Sequence, residues 1–252
     1  MSSLKEILVE GTDDQNVIKN LLSVRGIVKD DRFPDNDAKN QGLPKCTKTA
    51  RKEKRLLEDE EVIYIVDMGG YEQMTAVSRK QPHRAIYKSI RESRVSHMAI
   101  IIDTDTDLRS RWDSITNQLI LSGVEPATIP AVPTSTGSLF LSTQPDRNVK
   151  VGVWLMPNNV LQGMLEDFLA LLVSTPDQKR LWDYVTKVQA KIPVKSRFFS
   201  KVHESKAKVH AWLTWQDEPG RPLGQAVTRT YIDPNHPQVD IFVNWLQATL
   251  EI

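Results

Sequence analysis

The sequence has a single cysteine, Cys46, and no long apolar run in its 252 residues. One cysteine excludes an intramolecular disulfide and a zinc site built from several cysteines, and it is typical of a reducing compartment. No stretch approaches the roughly 20 consecutive apolar residues that a membrane-spanning helix needs. The opening residues 1–14 also lack the apolar core of a signal peptide. We therefore expect a cytoplasmic protein without a membrane partner.

An excess of one charge is also missing, because 33 Lys and Arg residues stand against 32 Asp and Glu residues. A uniformly basic surface is thereby excluded, so binding of nucleic acid would need a local patch. The pattern G-x-x-x-x-G-K-[ST] of ATPase phosphate loops is absent as well. The remaining composition, 40% hydrophobic and 26% charged residues, is typical of a soluble globular protein.

Apolar runs alternate with segments of helical periodicity along most of the chain. Strands are predicted at 6–10, 62–66, 98–103 and 149–157. A first helix is predicted from Thr12 or Asp13 to Gly26, and later ones at 85–94, 108–123, 160–173, 178–189, 201–215 and 238–249. This order predicts an α/β fold with a mostly parallel sheet of about four strands, with helices on both faces.

The segments group into one predicted domain, residues 1–252. Its core covers about 5–157, and a helical C-terminal part follows at about 158–252. The polar stretch 29–60 predicts a long loop or an insertion. Its basic side chains could contact an anionic partner, although the acidic run 58–61 follows at once and would neutralise them.

Two of the predicted strands end in carboxylates. Glu10 ends the first strand, and Asp103 and Asp105 end the third. Function gathers at the carboxyl ends of parallel strands, and residues two apart on a strand point to one side, about 7 Å apart. Such carboxylates repel one another unless a cation lies between them. An oxygen-only set of ligands favours a hard ion, so we expect Mg²⁺ or Mn²⁺.

The order strand, Glu-Gly, helix, strand, Gly-Gly, helix, strand, Asp-x-Asp resembles the TOPRIM domain of topoisomerases, primases, RNA-maturing nucleases and OLD-type nucleases. The resemblance rests on residues 7–22, with Glu10, Gly11 and Asp14, on 63–70 and on 100–107, with Asp103 and Asp105. Residues 151–169 and 206–227 are similar to a narrower, TOPRIM-related prokaryotic family described as a domain of unknown function. The resemblance implies a TOPRIM-like sheet with a helical C-terminal extension.

The function that the resemblance implies is that of a Mg²⁺-dependent nuclease, or of a related enzyme that processes phosphodiester bonds in nucleic acid, in a defence or repair system. Glu10 would be a general acid or base or a metal ligand, and Asp103 and Asp105 would be catalytic residues that bind the metal. Further implied metal ligands are Asp14 and Glu166. Gly11 would leave room for metal or phosphate, Asp107 would extend the acidic set, and Lys206 would contact Glu166 or phosphate.

The sequence departs from the larger TOPRIM enzymes. Its tyrosines lack the setting of a topoisomerase nucleophile, the single cysteine excludes the usual primase zinc module, and an ATPase of the OLD type would have to be a separate partner protein. The main alternative is a TOPRIM-like module that binds nucleic acid or protein without catalysis.

Several residues carry simpler interpretations. Asp107 could merely cap the helix from 108, and Glu166 could be exposed on its helix. Lys208 is better explained as a solvated side chain. His203 and His210, seven apart, are interpreted as surface or satisfied histidines, and Trp212 and Trp215 as core residues rather than a base-stacking platform.

Overall fold

The structure, a computed structural model, describes residues 4–30, 52–58, 61–72, 86–92 and 95–252. Its strands are β1 (Leu4–Val9), β2 (Lys29–Asp30), β3 (Lys52–Glu58), β4 (Glu61–Asp67), β5 (Val95–Asp103), β6 (Ser138–Thr143) and β7 (Asn148–Met156). Its α-helices are α1 (Thr12–Val24), α2 (Ile86–Glu92), α3 (Leu108–Leu121), α4 (Leu165–Leu171), α5 (Pro176–Lys191), α6 (Glu204–Thr214), α7 (Gln225–Thr228) and α8 (Pro237–Leu250).

The strands form a single sheet in the order β2-β3-β4-β1-β5-β7-β6. The central strands β4, β1, β5 and β7 run parallel to one another, as predicted. Strands β2 and β3 extend one edge in antiparallel pairing, and β6 extends the other. Because the four central strands are parallel, the segments that follow Val9, Asp67, Asp103 and Met156 all leave from the same edge of the sheet.

The α/β class is confirmed, and three strands were missed. The interpretation of 29–60 as a loop or insertion is wrong for β2 and β3, which pair within the sheet. These strands were not predicted because their sequence is charged, and strands near the edge of a sheet tolerate Lys and Glu. Residues 31–51, with Cys46 and the basic Lys48 and Arg51, lie outside the described residues. Strand β6 alternates buried and exposed residues over only six positions, a weak signal.

Both faces of the central strands are buried. Ile7 and Val9 belong to one apolar cluster with α1 and the C-terminal helices, whereas Leu8 belongs to a second cluster with α2 and α3. A strand that is covered on both faces reads as a continuous apolar run rather than an alternating one. Trp212 is fully buried in the first cluster, whereas Trp215 is partly exposed. The core interpretation is therefore confirmed for Trp212 and fails for Trp215.

The largest error in helix limits concerns 160–173, where α4 begins only at Leu165. Residues 157–164 instead form a connection in which Asn159 and Gly163 have positive φ. Non-glycine residues rarely adopt that conformation, so helical periodicity alone could not reveal this break. None of the helices in the described ranges has the length and apolar character that crossing a membrane demands.

Helix α8 packs against β7 at a point where the strand has no side chain. A Cβ on Gly152 would lie 2.2 Å from Thr249 Oγ1 and 2.6 Å from Thr249 Cγ2. Thr249 is itself fully buried and donates its hydroxyl to Trp245 O at 2.8 Å. The close approach of helix and sheet therefore depends on glycine at this position.

We expect Gly152→Ala to lower the free energy of unfolding by about 1–3 kcal/mol, the usual cost of overpacking a core. Adding Thr249→Ala removes both nearest atoms, so the double variant should be more stable than the sum of the two single effects predicts. The measurement is chemical denaturation of all four proteins of the cycle. Gly11→Ala is the matched control, because its Cβ would meet only Asp14 Oδ2 at 3.5 Å. Strict additivity would contradict the close-packing explanation.

Candidate metal and acid-base centre

Glu10 and Asp103 lie side by side although 93 residues separate them. Glu10 follows β1, Asp103 ends β5, and the two strands pair in parallel. The Asp103 backbone N–H donates to Glu10 Oε1 at 2.9 Å. The structure thus joins the two strand ends by a side chain that reaches across the sheet edge.

Asp14 joins this pair from the first turn of α1. Its Oδ2 accepts a hydrogen bond from the Gly11 N–H at 3.1 Å, and its side chain is buried. A carboxylate in the first turn of a helix also faces the positive end of the helix dipole. Gly11 itself has extended backbone with φ −147°, so the surrounding protein atoms do not require glycine there. That Gly11 leaves room for an approaching ligand stays a prediction.

Asp103 is fixed on its other side by the segment that follows β7. The Leu165 N–H donates to Asp103 Oδ1 at 3.0 Å. The buried Thr104 holds that segment in place, because its N–H donates to Gly163 O at 2.9 Å and its hydroxyl accepts from the Gly163 N–H at 2.8 Å. The first turn of α4 is thereby brought beside the end of β5.

Glu166, on that first turn, points inward. Only 4% of the residue is exposed, so the interpretation of Glu166 as an exposed helical position is wrong. Lys206 Nζ lies 3.6 Å from Glu166 Oε1 and supplies the positive partner that a buried carboxylate needs. Lys208 instead lies over the Trp182 ring, 5.4 Å from its centroid.

Asp105 lines the same cleft as Asp103, but not for the predicted reason. Strand β5 ends at Asp103, and Asp105 has φ 48° in the following turn, so alternation along a strand does not place it. Its carboxylate forms an ion pair with Arg111, whose guanidinium lies over the Tyr71 ring at 3.4 Å from the centroid. Asp107 accepts from the Ser110 N–H at 2.9 Å as the N-cap of α3, the simpler of its two interpretations.

These residues surround a small polar cleft with a volume of about 160 Å³. Its lining includes the predicted Asp14, Asp103, Asp105, Glu166 and Lys206. Glu10 is not part of the lining but is hydrogen-bonded to the backbone of the lining residue Asp103. Sequence reasoning missed four further lining residues, Asp13, Met164, Leu165 and His203.

The missed residues differ in how well the sequence could have predicted their place at the site. Asp13 sits beside Asp14 after the Glu-Gly pair, so its position was readable. His203 precedes α6 in a short 3-10 turn, and only the tertiary fold brings it to the cleft. Arg111, which lies outside the lining and pairs with Asp105, was readable only as one of several polar residues on α3. The ion pair of Arg111 with Asp105 depends on the turn at Asp105, which could not be predicted from the sequence.

Burial, reinforced by the charges of neighbouring acids, raises the pKa of three carboxyl groups in the cluster. Burial and then the charges of Glu10 and Glu166 raise the pKa of Asp14 to about 7. Burial also raises the pKa of Glu10 to about 7, although the Asp103 N–H and Arg111 oppose that rise. The pKa of Asp103 is raised well above its usual range by burial and then by Asp14, Glu10 and Glu166. The charges of Glu10 and Glu166 therefore act on both Asp14 and Asp103, whereas the acid whose charge raises the pKa of Glu10 is Asp105.

The donor set suits a hard cation in kind, since it consists of carboxylate oxygens. In the described part of the chain, however, no group of three or more Asp, Glu, His or Cys side chains is arranged to hold a metal ion. Glu10, Asp14 and Asp103 each turn an oxygen toward a backbone N–H instead. Metal binding would therefore require side-chain rearrangement around the cleft.

Comparison with known proteins finds a matching family and a similar solved structure. A model of the family described as "Protein of unknown function (DUF3226)" matches residues 4–251. Among solved structures, a crystal structure of a hypothetical protein from Pyrococcus horikoshii OT3 is similar, with a TM-score of 0.46 and 14% sequence identity. The match covers 98% of this chain and 95% of that one. A search of curated proteins finds no match.

The raised pKa values predict a pH-dependent stability in the absence of metal. Unfolded carboxyls titrate near pH 4, whereas Asp14 and Glu10 in the folded protein titrate at about 7. Between these values the folded state binds more protons, so the free energy of unfolding should fall as pH rises from about 4.5 to 7. In Asp14→Asn this fall should be smaller, and the variant should match or exceed the wild type at pH 7.5.

Denaturation curves in EDTA at pH 5 and pH 7.5 give the measurement. Asp183→Asn, an exposed change on α5, is the matched control and should keep the wild-type pH dependence. An Asp14→Asn variant with an unchanged pH dependence would contradict the proposed repulsion.

Proposed function

Because the chain belongs to that family, whose description assigns no reaction, we propose a function from the carboxylate cluster itself: a Mg²⁺-dependent enzyme that processes phosphodiester bonds in nucleic acid. The observation that carries the proposal is the group of Glu10, Asp14, Asp103 and Glu166 at the carboxyl edge of a parallel sheet, where the charges of Glu10 and Glu166 add to burial in raising the pKa of Asp14 and of Asp103. A charge cluster of this kind destabilises the fold unless a cation neutralises it. Its retention in a buried position therefore favours a functional role.

The metal-holding residues in this proposal are Asp14, Asp103 and Glu166, which all line the cleft. A bound Mg²⁺ or Mn²⁺ would neutralise charge on a phosphate and lower the pKa of a water molecule. Asp105 adds negative charge but is paired with Arg111, so we assign it to positioning that guanidinium. Lys206, half exposed beside Glu166, can move between the carboxylate and a phosphate oxygen.

Glu10 is assigned the proton-transfer role. A carboxyl group with a pKa of about 7 exists in both protonation states near neutral pH, the condition for efficient general acid-base catalysis. Glu10 does not line the cleft and is hydrogen-bonded to the Asp103 backbone, which separates its role from those of the lining carboxylates.

The TOPRIM-like organisation is part of the same proposal. It is supported by acids that follow the first and third of the parallel strands and meet at one edge of the sheet. The ATPase that accompanies OLD-type nucleases would act as a separate protein.

A non-catalytic module that binds nucleic acid or protein is the second candidate. It is favoured by the lack, among the described residues, of three side chains arranged as a metal site. In that case the acidic cluster would recognise a partner group, and the raised pKa values would serve no proton transfer.

We expect Glu10→Gln to reduce metal-dependent cleavage by at least about 10²-fold, the usual worth of positioned proton transfer. Glutamine keeps the size and can still accept from the Asp103 N–H, so the fold should persist. The assay incubates purified full-length protein with plasmid, single-stranded DNA and RNA across Mg²⁺ and Mn²⁺ concentrations. Glu125→Gln, exposed in the connection that follows α3, is the matched control. Equal cleavage by both variants would refute the role of Glu10, and no cleavage by any protein would favour the binding module.

Mg²⁺ or Mn²⁺ should also raise the melting temperature. An ion that binds only the folded state adds about 2.7 kcal/mol of stability at ~100 times its Kd. Asp14→Asn combined with Asp103→Asn should abolish this response while leaving the metal-free protein at least as stable at pH 7.5. Asp183→Asn serves again as the control and should respond like the wild type. A response that survives the double change would place the ion elsewhere.

A further inference from the structure

A strongly basic segment, residues 187–208, leads from the end of α5 to the first turns of α6. It carries seven Lys and Arg side chains against one acid, Glu204, in a chain whose 33 basic and 32 acidic residues nearly balance. We name it the basic segment. Its charge is thus a local patch of the kind that the overall composition conceals.

The basic segment borders the acidic cleft directly. His203 and Lys206 belong to the segment and line the cleft. Ser205 donates its hydroxyl to Asp167, next to Glu166 on α4. Gln189 donates to Glu204 O at 3.1 Å, which ties α5 to the start of α6. A polymer bound along the segment would therefore run into the carboxylate cluster.

Three of the seven cations in the segment are available for a ligand. Lys191, Lys195 and Lys201 are exposed, and in the part of the chain that the structure describes none of them forms an ion pair. Arg197 has a structural task instead, since its Nε donates to Ile192 O at 3.0 Å and so caps the end of α5. Phosphate groups are the complementary charge for such a row of lysines.

An aromatic ring stands free among these lysines. Phe198 is fully exposed, at 103% of its reference surface, whereas the neighbouring Phe199 is half-buried. Val194 is 80% exposed on the same connection. A phenylalanine ring this exposed buries no surface against the described residues, and an apolar ring that lies between lysines in the sequence suits the face of a nucleobase.

We propose that the basic segment binds an unpaired stretch of DNA or RNA, with Phe198 stacked on a base and Lys191, Lys195 and Lys201 on the phosphates. The identification of this ligand as the substrate rests on the function proposed above. Bases are open to stacking only when a strand is unpaired, so duplex should bind more weakly. An anionic membrane is the less suited partner, because the cleft at the end of the segment is concave and acidic.

The test is fluorescence anisotropy with labelled single-stranded DNA and RNA oligonucleotides and with a duplex, using the full chain in EDTA. Phe198→Ala should weaken single-strand binding by at least about 5-fold, the lower end of what a stacked aromatic contributes. Duplex binding should change little. The control Leu141→Ala removes another exposed apolar side chain, on the edge strand β6, and should leave both affinities unchanged. Melting temperatures verify that both variants fold.

The ionic contribution is measured as the slope of log affinity against log salt concentration. Lys195→Gln with Lys201→Gln should reduce this slope by about 1.4, because each contact with a single-strand phosphate contributes about 0.7. Lys179→Gln, an exposed lysine near the start of α5, is the control and should not change it. An unchanged slope in the double variant would overturn the assignment of the phosphate contacts.

Different results would refute the proposed nuclease function and the proposed binding to the basic segment. Binding that depends on Phe198, without cleavage by any variant, supports the basic segment and refutes the nuclease. Cleavage that depends on Glu10 but not on Phe198 or the lysines supports the nuclease and overturns the basic segment. The inference is overturned if the protein binds none of the oligonucleotides. It is also overturned if the protein sediments with phosphatidylserine vesicles instead of binding the oligonucleotides.

Discussion

Repulsion between carboxylates is the constraint around which the site is built. Asp14, Asp103 and Glu166 line one small cleft, and Glu10 is hydrogen-bonded to the backbone of Asp103. An isolated buried carboxylate is already costly, and each neighbour of like charge raises that cost. The protein offsets it by several means: backbone N–H groups for three of the acids, Lys206 for Glu166, and protonation near neutral pH.

Backbone hydrogen bonds do more than offset charge, because they set where each acid stands. Glu10 is bonded to the end of the neighbouring strand, Asp14 to the residue before its own helix, and Asp103 to the first turn of α4. All three donors are main-chain groups whose positions follow from the fold. The acids are therefore held by the main chain in the metal-free protein, and a cation that binds them must compete with these hydrogen bonds.

The parallel core and the meeting of Glu10 with Asp103 could be predicted, because buried parallel strands read as apolar runs and parallel order places their ends together. Other features were beyond the sequence. The charged β3 does not look like a strand, and Asp105 depends on a turn with positive φ rather than on strand alternation. His203 and the basic segment reach the cleft only through the packing of α5 and α6. Such tertiary placement leaves no periodic trace in a single sequence.

Thr104 has a consequence for how the chain can be divided. Its N–H and hydroxyl join the end of β5 to Gly163, and the hydroxyl also donates to Met156 O at 2.9 Å. Glu166 and Lys206 are thus mechanically coupled to Asp103, although they come from a later part of the chain. A fragment that ended at Met156 would contain every strand of the sheet, yet it would expose Asp103 to solvent. The sheet is therefore complete at Met156, whereas the cleft at its edge needs residues as far along the chain as Lys206.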